Sequence, residues 1–440
     1  MISKKYQFIT FYCLLFGYTL FAVASHLNIF FQILLYAIII IAPILLDKTK
    51  TISVYFYCAC FMQCLGRSGF LTALTISLFI LELRIIIESI KNKNFKNIKT
   101  VLYVWLGMLA ILTIYSLLFW KFKVYRMAMF IDFVQCVFVL FLVRKDIDIK
   151  HVLLTLFSGI LASVVTAGCY ILIGSYNPNI MYSVNRFGAF FRNINTLSVY
   201  CTVCASSFIV LLLTEKVEFK KYFYIPIITT FMGLLTYSKA FIVVTVILYA
   251  IWILLSFIKS KNKKRFILIS AVALVVFVLV LILSIDYLIA IYNRFTSGGH
   301  SSIMDNLTTG RIDIWKQYID RWLKSPITFL FGNGYTSQKI STKQYEHSIY
   351  IAFLYQFGIV GTALIISTLV WTLKKNSKLQ KNFSCYIPLI LLMVNGIVSN
   401  LSGIMCTCLV WFMAFYFTTM ETDTVKNINK EKNQDNNEKA

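Results

Sequence analysis

The feature that most constrains this chain is a succession of apolar runs, each near the length that crosses a lipid bilayer. They crowd residues 6–420, and one long polar stretch interrupts them. Hydrophobic residues make up 59% of the 440 positions and charged residues only 14%. Soluble domains run near ~25% charged, so a soluble globule is excluded. A helical span needs about 20 mainly apolar residues. Such runs fall near 7–24, 28–46, 52–65, 69–87, 100–119, 127–143, 152–174, 194–213, 222–236, 239–257, 266–290, 348–371, 384–400 and 403–419. The runs at 52–65 and 222–236 are short for a full crossing and are expected to be tilted, broken or re-entrant. The first run lacks a small-residue cleavage site after it and is read as a retained helix. Lipid offers no partner for backbone polar groups, so the spans must be helices. The expected fold is an all-α polytopic membrane protein with 12–14 transmembrane helices in one membrane domain, 1–420. The Asn-, Lys- and Glu-rich residues 421–440 read as a disordered cytoplasmic tail.

Lys and Arg set the orientation. With the amino terminus inside, 27 of the 42 basic residues fall on cytoplasmic segments and 14 on outer ones. Both termini are then cytoplasmic, and the polar stretch 291–346 is a large outer loop. Twelve of the 18 carboxylates also fall inside, which leaves a net +8 on the outer side. A positive outer face suits an anionic ligand such as a pyrophosphate. The plain alternative is a solvated surface facing lipid headgroups.

All 11 cysteines lie in expected spans, so no disulfide framework is implied. Cys58-Ala-Cys60, Cys201-x-x-Cys204 and Cys406-x-Cys408 have metal-like spacing, but no histidine lies near them. They read as small packing residues. No metal site or cofactor is expected. No phosphate-binding Gly-x-x-x-x-Gly-Lys-Ser/Thr pattern is present, which argues against ATP-driven transport by this chain. Nucleic acid is not an expected partner; membrane lipid is.

Within the outer loop, Ile312, Trp315, Tyr318, Ile319 and Trp322 recur at helical spacing, with Arg311, Asp313, Lys316, Asp320 and Lys324 between them. The pattern predicts an amphipathic helix lying on the membrane surface, capped by Thr308 or Thr309 and ended by Pro326. Arg311 then sits in the first turn, where guanidinium and helix N–H groups can address one anion. A guanidinium presents a fixed fork of donors suited to a pyrophosphate. Glu346-His347 stands where the loop re-enters the membrane; His347 is a candidate general base, with Glu346 orienting it or competing for the role. Arg186 and Arg192, among Asn185, Gly188, Asn193 and Asn195, stand at the outer mouth of the 194–213 span. Lys239, in Tyr237-Ser238-Lys239-Ala240, opens a span against its helix dipole, which favours an anionic partner. Arg67 is a weaker candidate of the same kind, and Asp132 needs a partner such as Arg126. Taken singly, each of these residues also has a plain reading as a solvated or interfacial side chain. Paired carboxylates of the kind that hold a divalent ion for nucleotide-sugar transfer are absent from the outer segments.

Together these elements resemble the O-antigen ligase and polymerase family, which includes Wzy-type polymerases. The resemblance rests on Gly310-Arg311-x-x-x-Trp315, Gly332-Asn333-Gly334, His347-Ser348-Ile349-Tyr350 and Gly358-Ile359-Val360-Gly361. Upstream, Arg186-Phe187-Gly188 through Asn193-Ile194-Asn195 and Ser238-Lys239-Ala240 extend it, so that it spans roughly 185–415. Ser348 stands where the family usually has Asn, and Lys239 where it usually has Arg. The resemblance implies a GT-C-like membrane glycosyltransferase acting on undecaprenyl-pyrophosphate-linked oligosaccharide in the bacterial cell membrane. By that likeness Arg311, Arg186, Arg192 and Lys239 hold the pyrophosphate and His347 activates the attacking hydroxyl. Partners would be a flippase and a chain-length regulator of the same pathway. A repeat-unit polymerase for O-antigen, capsule or exopolysaccharide is the first reading. A ligase is the alternative, and a lipid-linked oligosaccharide flippase the more distant one.

Overall fold

The computed structural model describes residues 4–92, 146–183, 186–191, 193–214, 221–260, 311–333, 348–376, 382–398 and 408–419, with isolated positions between 107 and 144 and at 262–264, 289 and 292. The spans expected at 100–119, 127–143 and 266–290 lie largely outside them. So do Arg126, Asp132, Asn185, Arg192, Thr308, Thr309, Glu346, His347 and the 421–440 tail.

The fold is an all-α polytopic membrane protein. In chain order the helices are α1 (Lys4–Ala24), α2 (Ile29–Leu45), α3 (Lys48–Ala59), α4 (Gly66–Lys91), α5 (Ile149–Leu172), α6 (Ile194–Thr214), α7 (Tyr224–Leu234) and α8 (Lys239–Lys259). Then follow α9 (Arg311–Trp322), α10 (Pro326–Phe331), α11 (Ile349–Asn376), α12 (Ile387–Val398) and α13 (Cys408–Thr419). Six segments among the described residues are long and apolar enough to cross a membrane: Lys5–Ala24, Gly69–Lys91, Ile149–Leu172, Ile194–Thr214, Lys239–Lys259 and Ile349–Trp371. The short run at 222–236 forms only α7, and the run at 52–65 is broken as expected. There α3 stops at Ala59, a 3-10 turn occupies Met62–Leu65, and Gly66 turns the chain into α4 at φ 66°.

Helix α6 is the central pillar, buried along almost its whole length among α5, α7, α8, α12 and α13. Its Ser198, Thr202 and Ser206 turn their hydroxyls back onto the helix carbonyls Asn195 O, Ser198 O and Val203 O. Small residues of this kind let neighbouring helices approach closely where lipid supplies no hydrophobic drive. Cys201 and Cys204 on this helix, with Cys58 and Cys60 on and beside α3, are buried in the same core, in keeping with a packing role. Helices α1 and α8 instead expose Tyr6, Phe16, Val246, Leu254 and Ile258, the apolar outer surface of a protein solvated by lipid.

The two ends of the bundle are built differently. At the end carrying residues 46–50, 84–88 and 146–151, charged side chains line an open cavity of about 530 Å³. Lys48 bridges Asp146 at 2.8 Å and Glu88 at 3.3 Å. Burial pulls the Lys48 ammonium down, but Asp146 and Glu88 together outweigh it and hold the group above its ordinary value. Arg84 completes the cluster. Its Nε donates to Glu88 at 3.0 Å, and its Nη1 donates to the carbonyls of Pro43 at 2.9 Å and Leu46 at 2.5 Å. Those carbonyls belong to the end of α2, where no further helical turn supplies backbone N–H donors to them. The guanidinium therefore caps α2 from α4. Arg84→Met is expected to lower stability by about 1.5–3 kcal/mol, the scale of hydrogen bonds to a charged group. Thermal unfolding of the detergent-solubilised protein checks this, and an unchanged midpoint would contradict the capping role.

At the other end the chain is irregular. Asn179 donates to Ser25 Oγ at 2.9 Å, Phe187 N donates to Leu235 O at 3.0 Å, and Gln63 N donates to Phe190 O at 3.1 Å. These links gather segments 23–28, 60–66, 177–191 and 233–239, all of which the charge map assigns to one side.

Candidate functional site

Two groups of the residues singled out by sequence are built at this irregular end and in the polar loop. The first begins with a two-residue antiparallel pairing, in which Ser183 faces Arg186 and Tyr182 faces Phe187. Gly188 follows at a close approach: a Cβ there would lie 2.9 Å from Ile194 Cα and 3.0 Å from Met181 Cβ. Ala189 takes φ 50°, and the chain then drives Phe190 and Phe191 fully into the core. Phe190 stacks on Phe61 at 5.6 Å between centroids, and its N–H donates to Ser163 Oγ at 3.3 Å. This inward plug fixes the backbone on both sides of it.

Arg186 is half-buried at the edge of the plug. Its Nε donates to Thr236 O at 3.1 Å, and its Nη2 donates to Asn195 Oδ1 at 3.0 Å. One guanidinium therefore joins the 186–195 segment to the turn that leads into α8. In that turn Tyr237 adopts φ 48°, and burial raises its phenol above the ordinary value. Ser238 caps α8 by accepting from Phe241 N, and Lys239 is the first helical residue. Helix N–H groups point at an ammonium in that position, which is unfavourable without an anion nearby. Thus Arg186, Asn195 and the Thr236–Lys239 turn, separate in sequence, form one cationic group. The sequence signalled Arg186 and Lys239 but not that a backbone carbonyl, Thr236 O, joins them.

The second group is the polar loop. Arg311 opens α9, as expected, and is half-buried. The apolar face of α9 is not simply laid on a membrane surface, which corrects that expectation. Ile314, Tyr318 and Trp322 pack against Ile351 and Tyr355 of α11. The Tyr318 and Tyr355 rings meet edge to face at 4.9 Å. Another helix satisfies this stripe better than an interface would, because the tyrosine rings interlock. Ile319 and Leu323 stay exposed on the flank. Pro326 does more than stop the helix, since it is the first residue of α10. Ser325 caps α10 reciprocally with Thr328, an arrangement that satisfies two orphan N–H groups at once. Trp322 then donates from Nε1 to Phe329 O at 3.1 Å and stacks on the Phe329 ring, folding α10 back along α9.

The two glycine motifs, separate in sequence, meet here. Helix α11 is broken at Gly358, at φ 63° and ψ −170°, a region open essentially to glycine alone. The loop glycine, Gly332 at φ 77°, packs directly on that break. The break leaves carbonyls without their helical donors. Asn333 N donates to Tyr355 O at 2.7 Å, filling one of these positions, and Thr362 Oγ1 donates across the break to Phe353 O at 3.1 Å. Ser348, at the start of α11, is buried, and Tyr350 donates its hydroxyl to Met393 O of α12 at 3.0 Å. Among the described residues no cluster of three or more His, Cys, Asp or Glu is gathered to hold a metal ion.

The arrangement offers guanidinium and ammonium groups placed by rigid elements. Such groups are suited to developing negative charge on a departing phosphate group. Comparison with protein families matches residues 225–366 to the model described as O-antigen ligase. The match takes in the Thr236–Lys239 turn, all of α9 and α10, and α11 through its break. No curated protein and no solved structure matches the chain. The resemblance carried by the loop motifs is therefore borne out: over residues 225–366 this all-α membrane protein is similar to the O-antigen ligase family.

Proposed function

We propose that the protein is a polymerase of oligosaccharide repeat units carried on a polyprenyl pyrophosphate, undecaprenyl pyrophosphate in a bacterial membrane. A hydroxyl oxygen of one unit attacks C1 of the first sugar of another chain. The C1–O bond to pyrophosphate breaks as the new glycosidic bond forms. The hydroxyl proton passes to His347, with Glu346 as the competing base, and the polyprenyl pyrophosphate leaves with the bonding electron pair. Arg311, Arg186 and Lys239, with Arg192 beside them in sequence, take up the charge that develops on the leaving group. The observation that carries this reading is the family match over 225–366, which includes Lys239, Arg311, Glu346 and His347. The meeting of Arg186 with the Thr236–Lys239 turn supports it.

The matched family is described by its ligases, which favours a second reading in which finished glycan is attached to a different acceptor. One experiment tests both. Purified protein in lipid receives lipid-linked repeat units from its host, with no nucleotide and no added metal. A polymerase gives a ladder of lengthening glycan on a gel. Product that forms only after a separate acceptor is supplied, with a single transfer, would replace polymerase by ligase.

A further inference from the structure

The backbone contact between Gly332 and Gly358 has no counterpart in the chemistry above, yet it brings main chain directly onto main chain. A Cβ placed on Gly332 would stand 2.6 Å from Gly358 N and closer still to the Gln356 carbonyl. A Cβ on Gly358 would stand 2.5 Å from Gly332 N and closer still to the Leu330 carbonyl. Every atom met is main chain, so no side-chain rotation relieves either clash. Both residues also hold positive φ, where an L side chain is strained. Each glycine is therefore required twice over, by its own conformation and by its neighbour.

The contact joins two pieces. On one side is the arm of α9 and α10, whose two helices are tied by the Trp322–Phe329 bond and stack. On the other is α11 at its break. The arm has two further holds on α11. One is the Tyr318–Tyr355 ring contact near the middle of α9. The other is the bond from Asn333 N to Tyr355 O. Tyr355 thus receives α9 with its ring and the loop after α10 with its carbonyl. A straight α11 could not do this, because Tyr355 O would be committed to Ile359 N within the helix. The break at Gly358 frees the carbonyl that anchors the loop.

We infer that Gly332 and Gly358 are positioning residues: their backbone-on-backbone clamp fixes the α9–α10 arm against the broken α11 and so sets where Arg311, at the far end of α9, meets the leaving pyrophosphate. The inference rests on the proposed role of Arg311. The clamp acts through Arg311 and touches no substrate itself. Opening it would swing α9 about the Tyr318–Tyr355 contact and displace the guanidinium, while the core around α6 stays intact.

The test combines hydrogen exchange with kinetics on the full-length protein in lipid nanodiscs, using wild type, Gly332→Ala, Gly358→Ala and Arg311→Ala. In wild type, the amide of Asn333 is expected to exchange as slowly as the amides of α11. In both alanine variants at the glycines, exchange should rise in peptides from 311–333 and 348–358 and stay at the wild-type level in α5 and α6. With lipid-linked repeat units as substrate, kcat per folded molecule should fall at least tenfold with KM little changed. A merely structural defect would instead reduce the amount of folded protein and leave kcat per folded molecule as it was. Fast exchange at Asn333 in wild type would overturn the clamp, and that measurement stands even if neither variant accumulates in the membrane. Wild-type exchange in the variants would overturn it too, as would loosened exchange with an undiminished kcat. Full activity in Arg311→Ala would remove the functional reading instead, while leaving the exchange evidence for the clamp in place.

Discussion

Arg311→Ala is expected to lower the rate of glycan transfer by about 10²- to 10³-fold, the scale on which removing one donor to a developing anion slows an enzyme. The residue opens α9, so its guanidinium and the first N–H groups of the helix share one end. The packing of Ile314, Tyr318 and Trp322 on Ile351 and Tyr355 of α11 holds the helix that carries it. Loss of the side chain should therefore leave the fold, membrane insertion and exchange protection of α9 unchanged. Arg311→Lys should recover part of the rate, because an ammonium supplies charge without the two-pronged donor geometry. Initial rates of glycan lengthening check the series. Equal rates in wild type and Arg311→Ala would remove the residue from the chemistry.

His347→Ala should slow the same reaction by about 10²- to 10⁴-fold, the range of general acid–base contributions. His347 precedes buried Ser348 and the first turn of α11 directly in sequence. The variant should bind lipid-linked substrate as wild type does, since removing a base affects the proton transfer and not the grip on pyrophosphate. Glu346→Gln separates the two candidate bases. A rate that collapses in Glu346→Gln and survives in His347→Ala would exchange their roles.

The length of the apolar runs made the spanning helices legible, and the structure follows them closely at α1, α2, α5, α6 and α8. It also foretold that 52–65 and 222–236 fall short, while the expected spans at 28–46, 384–400 and 403–419 likewise form helices of under 18 described residues. The polar arm was legible from its helical spacing as a helix with Arg311 in its first turn. What covers its apolar face was not, since helical spacing records that a stripe must be buried and not by which surface. The rings of Tyr318 and Tyr355 are 37 positions apart, and nothing local links them. The glycine motifs show the same limit. Gly332 and Gly358 stand out in sequence only as parts of two separate motifs, the second inside an apparently continuous span, but their meaning lies in a backbone contact that only the fold creates. Arg186 was legible as a cation and not as a tie. Its hydrogen bond to Thr236 O joins residues 50 positions apart, beside a chain that buries Phe190 and Phe191, and no local pattern records either.

The proposed transfer draws on the bond between sugar and pyrophosphate. The most direct measurement counts polyprenyl pyrophosphate released per glycosidic bond formed by purified protein in lipid vesicles, without nucleotide. One is expected to be released for each bond, with release and bond formation lost together in Arg311→Ala. Repeat units that reach the opposite leaflet still attached to their lipid, with no pyrophosphate released, would contradict it and make the protein a transporter.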